Sequence, residues 1–485
     1  MFEKEFLCAG SDQVYRESIL RAVEILQAAL PSRPYSGKTP TDLAAIIDKE
    51  ILPDNASSLD QALEKVRPLI ANSILLTHPH TIAHFHCPPL IVSLAAEVII
   101  SALNQSMDSF DQAPAATMLE MAVCRWLCDE VGLPAGSDAV FTSGATQSNF
   151  MGLLLARDTA VASQQNWMVH KRAVPPQVDQ LRILCSEAAH FTVEKAACQL
   201  GLGSDAVIKV PVDDSFRMIP AALADSLETL WKDELLPAAV VATAGTTDFG
   251  SIDPLPEIAA LARRAGAWFH VDAAYGSALL LSHRHRDLLR GIEHADSISM
   301  DFHKAFWQVI SCGAFLVRDD GKFRHLEIHA DYLNPKAHDH AGIPNLVNRS
   351  LATTRRFDAL KLWLSFQVLG RQKFGQMIDR TIELAAEAAD LIRANSALEL
   401  VHQPQSGCVV FRYRPSRQDL DVDVDVLNAA LRQRLFDRGL AVIGHTRVRG
   451  RQHLKFTFMN PTTKREDIAA LITLVVDQGR SLEKE

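Results

Sequence analysis

The spacing of hydrophobic positions changes along this chain and divides it into three parts. In residues 1–74, apolar side chains recur at helical spacing over 15–30 and 60–74, which predicts an N-terminal helical arm. From 75 to 375, short apolar runs alternate with helical segments. This alternation predicts an α/β domain with a mostly parallel sheet covered by helices. The clearest predicted strands are residues 138–142, 181–185, 238–243 and 267–272.

The remaining residues, 376–485, predict a smaller α+β domain. A long helical pattern runs from about 374 to 392, followed by a strand-like run at 408–413, a helix through 438 and a strand-like run at 453–459. The longest apolar stretch, 88–103, is interrupted by Ser93, Glu97 and Ser101. It is too short and too polar for a membrane span, so we expect a buried helix of a soluble protein.

Composition narrows the classes of function. The chain has 485 residues, of which 48% are hydrophobic and 22% charged, as in ordinary globular proteins. Its net charge of −9, without a basic block, argues against a nucleic-acid partner. The eight cysteines form no CxxC pair, and the first residues lack the basic and apolar regions of a secretory signal. We therefore expect a cytoplasmic protein.

An aspartate and a lysine follow predicted strands in a pattern that indicates a specific chemistry. Asp272 closes an apolar run, and Lys304 lies 32 residues later in the sequence Asp-Phe-His-Lys. A pyridoxal cofactor needs a lysine amine for its Schiff base and a carboxylate on its pyridine nitrogen. We predict these roles for Lys304 and Asp272. Taken singly, each residue is more often a solvated surface charge or a helix cap.

Two further strand ends carry residues suited to the same cofactor. Residues 141–149 pass through small side chains into a predicted helix, so the amides of Gly144, Ala145 and Thr146 are predicted to bind a phosphate. A simple capped turn is the alternative. His190, after the strand 181–185, is a candidate to stack on the ring and to carry protons. A partly buried histidine with a satisfied hydrogen bond is its ordinary interpretation.

The other predicted cofactor contacts lie beside these groups. Thr246, after the strand 238–243, is a candidate hydrogen-bond partner of the ring oxygen, although a turn hydroxyl would give the same pattern. Ala274 leaves room for a flat ring at the strand end, and His303 lies next to the lysine. Because parallel strands of an α/β sheet present their carboxyl ends at one edge, we expect these segments to converge.

These segments, in this order, resemble the group II pyridoxal-phosphate-dependent amino acid decarboxylases over nearly the whole chain. The resemblance implies a type I pyridoxal-enzyme fold, like that of aspartate aminotransferase, with pyridoxal 5'-phosphate as cofactor. It implies Lys304 as the Schiff-base lysine, Asp272 on the pyridinium and His190 over the ring. It also implies a homodimer with active sites near the interface, in which we expect the arm at 1–74 to take part.

Three further stretches look most like the diamino acid branch of that group, which acts on 2,4-diaminobutyrate, lysine or ornithine. They are residues 78–86, 104–114 and 353–360. The last contains Thr354, a further candidate cofactor contact. The resemblance therefore implies release of a diamine and carbon dioxide, in siderophore or polyamine biosynthesis.

A cationic substrate side chain that leaves water requires a carboxylate partner. Asp108 and Asp111 lie in the segment that lines the substrate pocket of the relatives, and either could bind an ω-ammonium. Both could equally be capping or surface acids. The predicted substrate contacts are His84, His86, Asp108, Phe110, Asp111 and Thr117.

The histidine-rich run at 78–86 is not predicted to bind a metal. No HExxH pattern or acidic third ligand accompanies His78, His80, His84 and His86. We expect no metal among the site groups.

Two departures from the resembled family affect the chemistry. Aromatic decarboxylases carry a loop tyrosine thought to donate the final proton, but the comparable stretch here, 345–349, contains none, and Tyr332 corresponds poorly. His190 or a partner-subunit residue is the alternative donor. Asp301 stands where many relatives have asparagine, and an acid there would repel a phosphate unless it is turned away, protonated or bridged.

Other functions on the same residues stay open at this point. They are decarboxylation of glutamate, aspartate or an aromatic amino acid, an aldehyde-forming or aminotransferase reaction, and a non-catalytic cofactor-binding module.

Overall fold

The computed structural model describes residues 5–47, 49, 51–165, 167–415 and 423–485. The chain forms two compact units. The larger comprises residues 87–383 and 402–408, and the smaller comprises 1–86, 384–401 and 409–485. The N-terminal residues thus group with C-terminal ones, whereas the predicted division into 1–74, 75–375 and 376–485 stays a prediction about domains.

The helices and strands follow the predicted order. The helices are α1 (Asp12–Ala29), α2 (Pro40–Ala45), α3 (Leu59–Ala71), α4 (Ile91–Leu103), α5 (Pro114–Val131), α6 (Ala145–Gln165), α7 (Thr192–Gln199), α8 (Pro220–Lys232), α9 (Leu255–Ala265), α10 (Lys336–His340), α11 (Ala359–Arg393, with a non-helical Gly370), α12 (Val424–Asp437) and α13 (Arg465–Leu482). The strands are β1 (Asp138–Thr142), β2 (Leu181–Ser186), β3 (Val207–Val210), β4 (Leu236–Thr243), β5 (Trp268–Asp272), β6 (Ser297–Asp301), β7 (Gly313–Val317), β8 (Leu398–Leu400), β9 (Cys408–Tyr413), β10 (Gly444–Val448) and β11 (Arg451–Thr457).

The larger unit is built on a seven-stranded sheet in the order β1-β7-β6-β5-β4-β2-β3. Strands β2 to β6 pair in parallel, and β7 lies antiparallel between β6 and β1. The mostly parallel α/β sheet is therefore confirmed. Its strands are buried on both faces, as expected when helices cover them.

The register of the sheet brings the functional segments to one edge. Asp272 pairs with Thr243 of β4 and with Ser299 of β6, so β4, β5 and β6 end side by side. Strand β1 runs in the same direction as β6, because both are antiparallel to β7. The segments that follow β1, β4, β5 and β6 consequently leave the sheet at the same edge.

The smaller unit contains a four-stranded sheet in the order β10-β11-β9-β8. Helices α12 and α13 contribute to one apolar core with its strands, and a carboxylate at Asp423 caps α12 by accepting the N–H groups of Asp425 and Val426. This confirms the strand and helix predictions for the C-terminal part.

One expectation about the fold is wrong. Helix α4 was expected to be buried, but Ile91 is 85% exposed, and Leu94, Val98, Ile99 and Leu103 are also exposed in the single chain. The buried positions are Ser93, Ala96 and Ile100. An apolar stretch predicts that a helix is buried, but it does not show which of its residues the single chain buries. Among the described residues, no helix is long and apolar enough to span a membrane.

A buried ion pair in the larger unit binds the backbone of strand β1. Arg355 Nη1 lies 2.8 Å from Glu120 Oε1, with only 7% and 1% of the two side chains exposed. The same carboxylate accepts the Phe141 N–H, and Arg355 also donates to the carbonyls of Phe141 and Met107. The pair therefore connects α5, β1 and the segment before α11.

We expect Arg355→Gln to destabilise the protein by about 3–5 kcal/mol, because it leaves the buried Glu120 carboxylate without its cation. Arg356→Gln is the matched control. Its partner Glu97 keeps Lys361 at 2.9 Å, and its own side chain is solvated, so the cost should be at most about 1 kcal/mol. Urea unfolding followed by tryptophan fluorescence would measure both, and equal losses would contradict this role for the buried pair.

Candidate active site

Lys304 lies just beyond β6 and faces an acid. Its Nζ is 3.2 Å from Asp301 Oδ2, and the His303 ring nitrogen Nε2 is 3.7 Å from the same oxygen. The His303 orientation is fixed because its Nδ1 lies 2.8 Å from the Cys312 carbonyl and 3.1 Å from the Cys312 backbone nitrogen. The segment after β6 therefore presents an amine beside a nearly buried carboxylate.

Asp272 is the last residue of β5 and is 5% exposed. One oxygen accepts the Ala274 N–H at 3.1 Å, and the other accepts an N–H of the Asn149 side chain at 2.8 Å. A buried carboxylate is costly unless hydrogen bonds satisfy it. These donors hold Asp272 at the strand end as an acceptor with a defined direction.

The predicted phosphate cup is the start of α6. Gly144 has φ 144°, and a Cβ there would lie 3.1 Å from His303 Cε1 and 3.2 Å from Asp301 Oδ1, so glycine suits this close approach. Ala145 is buried and Thr146 is exposed. The Ala145 N–H already donates to Asp301 Oδ1 at 2.7 Å. Asp301 is thus bridged by an amide and a lysine, one of the arrangements that the sequence left open.

His190 follows β2 and contacts Thr192. Its Nδ1 lies 2.9 Å from Thr192 Oγ1 and accepts the Thr192 N–H at 3.4 Å. Burial lowers the pKa of His190, although the nearby Asp272 opposes that shift. The imidazole is therefore biased toward its neutral form.

Sequence reasoning missed three residues behind this edge: Asn149, Thr192 and His270. Asn149 Nδ2 donates to Thr192 Oγ1 as well as to Asp272, and Asn149 Oδ1 lies 2.9 Å from His270 Nε2. The signal in the sequence that could have identified two of them is their distance along the chain from residues already predicted to form the site. Asn149 lies one helical turn after Ala145, and His270 precedes Asp272 by two residues, on the same face of β5.

The other predicted cofactor contacts lie in different surroundings. The Thr246 hydroxyl is buried and accepts the Ser251 N–H at 3.1 Å, as a turn hydroxyl does. Ala274 is buried next to Asp272, whereas Thr354 is exposed. A cofactor contact at each of these positions stays a prediction.

Four predicted substrate residues belong to the larger unit. Asp108 is buried, and its carboxylate accepts the Ser109 N–H at 2.8 Å. Asp111 is exposed and accepts the Ser109 hydroxyl at 2.5 Å. The Phe110 N–H donates to Asn345, and Thr117 is buried on α5.

His84 and His86 belong to the smaller unit. Both are exposed, their rings are 5.8 Å apart, and His84 has φ 57°. Their contact with a substrate stays a prediction.

The residues at the edge of the larger unit fit a pyridoxal phosphate. Gly144 allows the start of α6 to lie close to His303 and Asp301, and the N-terminus of a helix is suited to bind a phosphate. Asp272 is a buried acceptor suited to a ring N–H, and Lys304 supplies a primary amine after the adjacent strand. Lys304, Asp272 and the helix start are thus the groups that would hold such a cofactor.

Comparisons with known proteins agree with this chemistry. Residues 40–414 match the pyridoxal-dependent decarboxylase conserved domain. The chain is 40% identical to an L-2,4-diaminobutyrate decarboxylase of Acinetobacter baumannii, over 99% of this chain and 96% of that protein, and 41% identical to one of Rhizobium meliloti, over 98% and 93%. A crystal structure described as the glutamate decarboxylase domain of diaminobutyrate-pyruvate transaminase and L-2,4-diaminobutyrate decarboxylase from Vibrio parahaemolyticus superposes with a TM-score of 0.91 at 39% identity, covering 99% of both chains. The chain belongs to the pyridoxal-dependent decarboxylase family.

Proposed function

We propose that this chain converts L-2,4-diaminobutyrate to 1,3-diaminopropane and carbon dioxide. It is a pyridoxal-phosphate-dependent amino acid decarboxylase of the diamino acid branch. The observation that carries the reaction class is Asp272, a buried and doubly hydrogen-bonded carboxylate, beside strand β6, which ends three residues before Lys304. The names of the bacterial relatives support diaminobutyrate over lysine and ornithine. Siderophore or polyamine supply stays a prediction from the resemblance.

Each group has a proposed task around the cofactor. Pyridoxal phosphate, when bound, supplies the electron sink into which the Cα–carboxylate bond breaks. Lys304 would hold it covalently, and Asp272 would accept the ring N–H and keep the proton there. The start of α6 would bind the phosphate, and His190 would lie over the ring.

The final protonation of Cα needs a group that carries a proton into the site. His190 is our candidate, because its Nδ1 is occupied by Thr192 and a proton is thereby directed to Nε2. A residue of a partner subunit is the alternative that the sequence left open. Tyr332 has a side chain turned to solvent, with 87% of its surface exposed.

Asp108 is the proposed partner of the substrate ω-ammonium. Its carboxylate is buried and accepts one backbone N–H, and no described lysine, arginine or histidine forms an ion pair with it. A buried anion without a cation is stabilised by an ammonium that enters its surroundings. Asp111, three residues later, is exposed to water, so its carboxylate is already solvated and an ammonium would stabilise it less.

We expect the purified chain, loaded with pyridoxal phosphate, to release equal amounts of carbon dioxide and 1,3-diaminopropane from L-2,4-diaminobutyrate. Ornithine, lysine, glutamate and an aromatic amino acid at equal concentration should react more slowly. Lys304→Ala is the control and should abolish turnover. Product from glutamate or the aromatic acid alone would contradict the proposal, and an aldehyde with ammonia or peroxide would indicate the aldehyde-forming reaction.

We expect Asp108→Asn to lower kcat/KM for diaminobutyrate about 30-fold or more, mainly through KM, because the substrate ammonium loses a buried charged partner. The matched control is Asp111→Asn, which should change kcat/KM about twofold at most, since an exposed acid contributes little. Steady-state kinetics on both variants would measure this. Similar losses in the two variants, or a loss confined to Asp111→Asn, would contradict the assignment.

We also propose that the protein is a homodimer that covers the apolar face of α4. Ile91, Leu94 and Val98 recur at helical spacing on the exposed side of this helix, and contiguous apolar surface of this kind is typical of interfaces. In the smaller unit, α1 and α3 also expose apolar side chains, including Leu20, Leu26 and Leu69.

Sedimentation of the wild-type chain should therefore give a dimer, and Val98→Glu should shift it toward monomer by burying a charge at the interface. Ala221→Glu, on α8 beside the exposed Asp225 and Glu228, should leave the dimer intact. A monomeric wild type, or a Val98→Glu dimer as stable as the control, would contradict the proposal.

A further inference from the structure

We propose that Asn149 is a positioning residue that orients Asp272 and His190 through one side-chain amide. The inference rests on the proposed function, since it concerns how this chain prepares its cofactor site. Asn149 lies on the first turns of α6 and is 1% exposed. From there its amide reaches both Thr192, the first residue of α7, and Asp272, the last residue of β5.

The hydrogen-bond directions follow from the chemistry of the partners. The Asp272 carboxylate can only accept when ionised, so the atom of Asn149 that lies 2.8 Å away must be the NH2 group. The Asn149 oxygen then faces His270 Nε2 at 2.9 Å and accepts a hydrogen bond from its N–H. The orientation of the amide is thereby determined at both ends.

His270 is the fixed end of this network. Burial lowers its pKa to about 4, so it is neutral near pH 7, and with the proton on Nε2 its Nδ1 accepts from Ser297 Oγ at 2.7 Å. Ser297 in turn accepts the indole N–H of Trp268 at 2.8 Å. A Cβ at Gly152 would lie 2.6 Å from His270 Nδ1, so α6 lies directly against the imidazole and restricts its rotation.

The second N–H of Asn149 continues the network to His190. It donates to Thr192 Oγ1 at 3.0 Å, and the Thr192 hydroxyl is then free to donate to His190 Nδ1 at 2.9 Å. Because Nδ1 accepts, the single proton of neutral His190 lies on Nε2. One amide thus fixes both the direction of the Asp272 carboxylate and the tautomer of His190.

An asparagine is the side chain that meets these requirements. It offers two N–H donors and one acceptor on a short, planar group. An aspartate of the same shape would place an oxygen against the Asp272 oxygen, and two carboxylates at this distance cannot both stay ionised. This difference makes the proposal testable with an isosteric substitution.

We expect Asn149→Asp to weaken pyridoxal phosphate binding and to lower kcat by about 10- to 100-fold. The readout that separates positioning from stability is pH. The ratio of variant to wild-type Kd for pyridoxal phosphate should fall as pH is lowered from about 8 to about 6, because a proton shared by the two carboxylates restores the hydrogen bond. The absorption spectrum of the bound cofactor should shift with the same pH dependence.

The Thr192 branch is tested by a second pair of variants. Thr192→Val removes the hydroxyl at nearly constant volume, and we expect kcat to fall about tenfold with a changed pH profile, while the Kd for pyridoxal phosphate changes little. Thr192→Ser keeps the hydroxyl and should recover most of kcat. Ser163→Ala, on the exposed side of α6, is the control for the helix itself and should match the wild type.

Two results would overturn the proposal. One is a folded Asn149→Asp variant whose Kd ratio for pyridoxal phosphate is the same at both pH values. The other is that Thr192→Val and Thr192→Ser have the same kcat and the same pH profile. This second comparison also tests the proposal if Asn149→Asp fails to fold. The cofactor measurements need no substrate, so a wild type that binds pyridoxal phosphate but leaves diaminobutyrate unchanged would contradict the proposed function alone.

Discussion

The buried carboxylate of Asp272 is the constraint on which the rest of the site depends. An anion removed from water is costly unless donors surround it, and Asp272 has the Ala274 N–H and the Asn149 amide. The Asn149 amide must itself be held in one orientation, and its contacts with Thr192 and His270 do this. This role explains why two polar residues lie among the apolar side chains of the sheet and α6. The polar network and the hydrophobic core are therefore parts of one arrangement.

A second electrostatic arrangement lies at the end of β6. Asp301 accepts the Ala145 N–H at the start of α6 and lies beside Lys304. The helix N-terminus and the ammonium both stabilise its negative charge. A phosphate that approaches the same helix end must share or displace this contact. Asp301 thus lies beside the helix end at which we propose that the cofactor phosphate binds.

The exposed apolar helix α4 shows a different physical limit. In the single chain, the outward-facing residues of α4 are exposed and therefore add little hydrophobic stabilisation, although they are as apolar as core residues. Burying these residues would contribute a stabilising free energy of roughly 25 cal/mol for each Å² of apolar surface removed from water. The fold of the single chain is therefore consistent with an architecture that is completed by association.

The sequence by itself determined the local and chemical content of this protein. Alternating apolar runs predicted β1, β2, β4 and β5 within one or two residues at each end, because burial on both faces of a sheet leaves a continuous hydrophobic signal. The predicted roles of Lys304 and Asp272 also came from residue type and from their places at strand ends. Those roles stay proposals, while the family to which they pointed is confirmed.

Only the tertiary structure decided which polar groups meet. Asn149 and Asp272 are 123 positions apart, and neither the helical pattern of α6 nor the strand pattern of β5 records that they are hydrogen-bonded. The same holds for Asp301 and the Ala145 amide, which are joined across 156 positions. The physical reason is that the periodicity of apolar residues indicates only which face of a helix or strand is buried. The pairing of buried donors and acceptors is set by sheet register and helix placement, which depend on the packing of the whole larger unit.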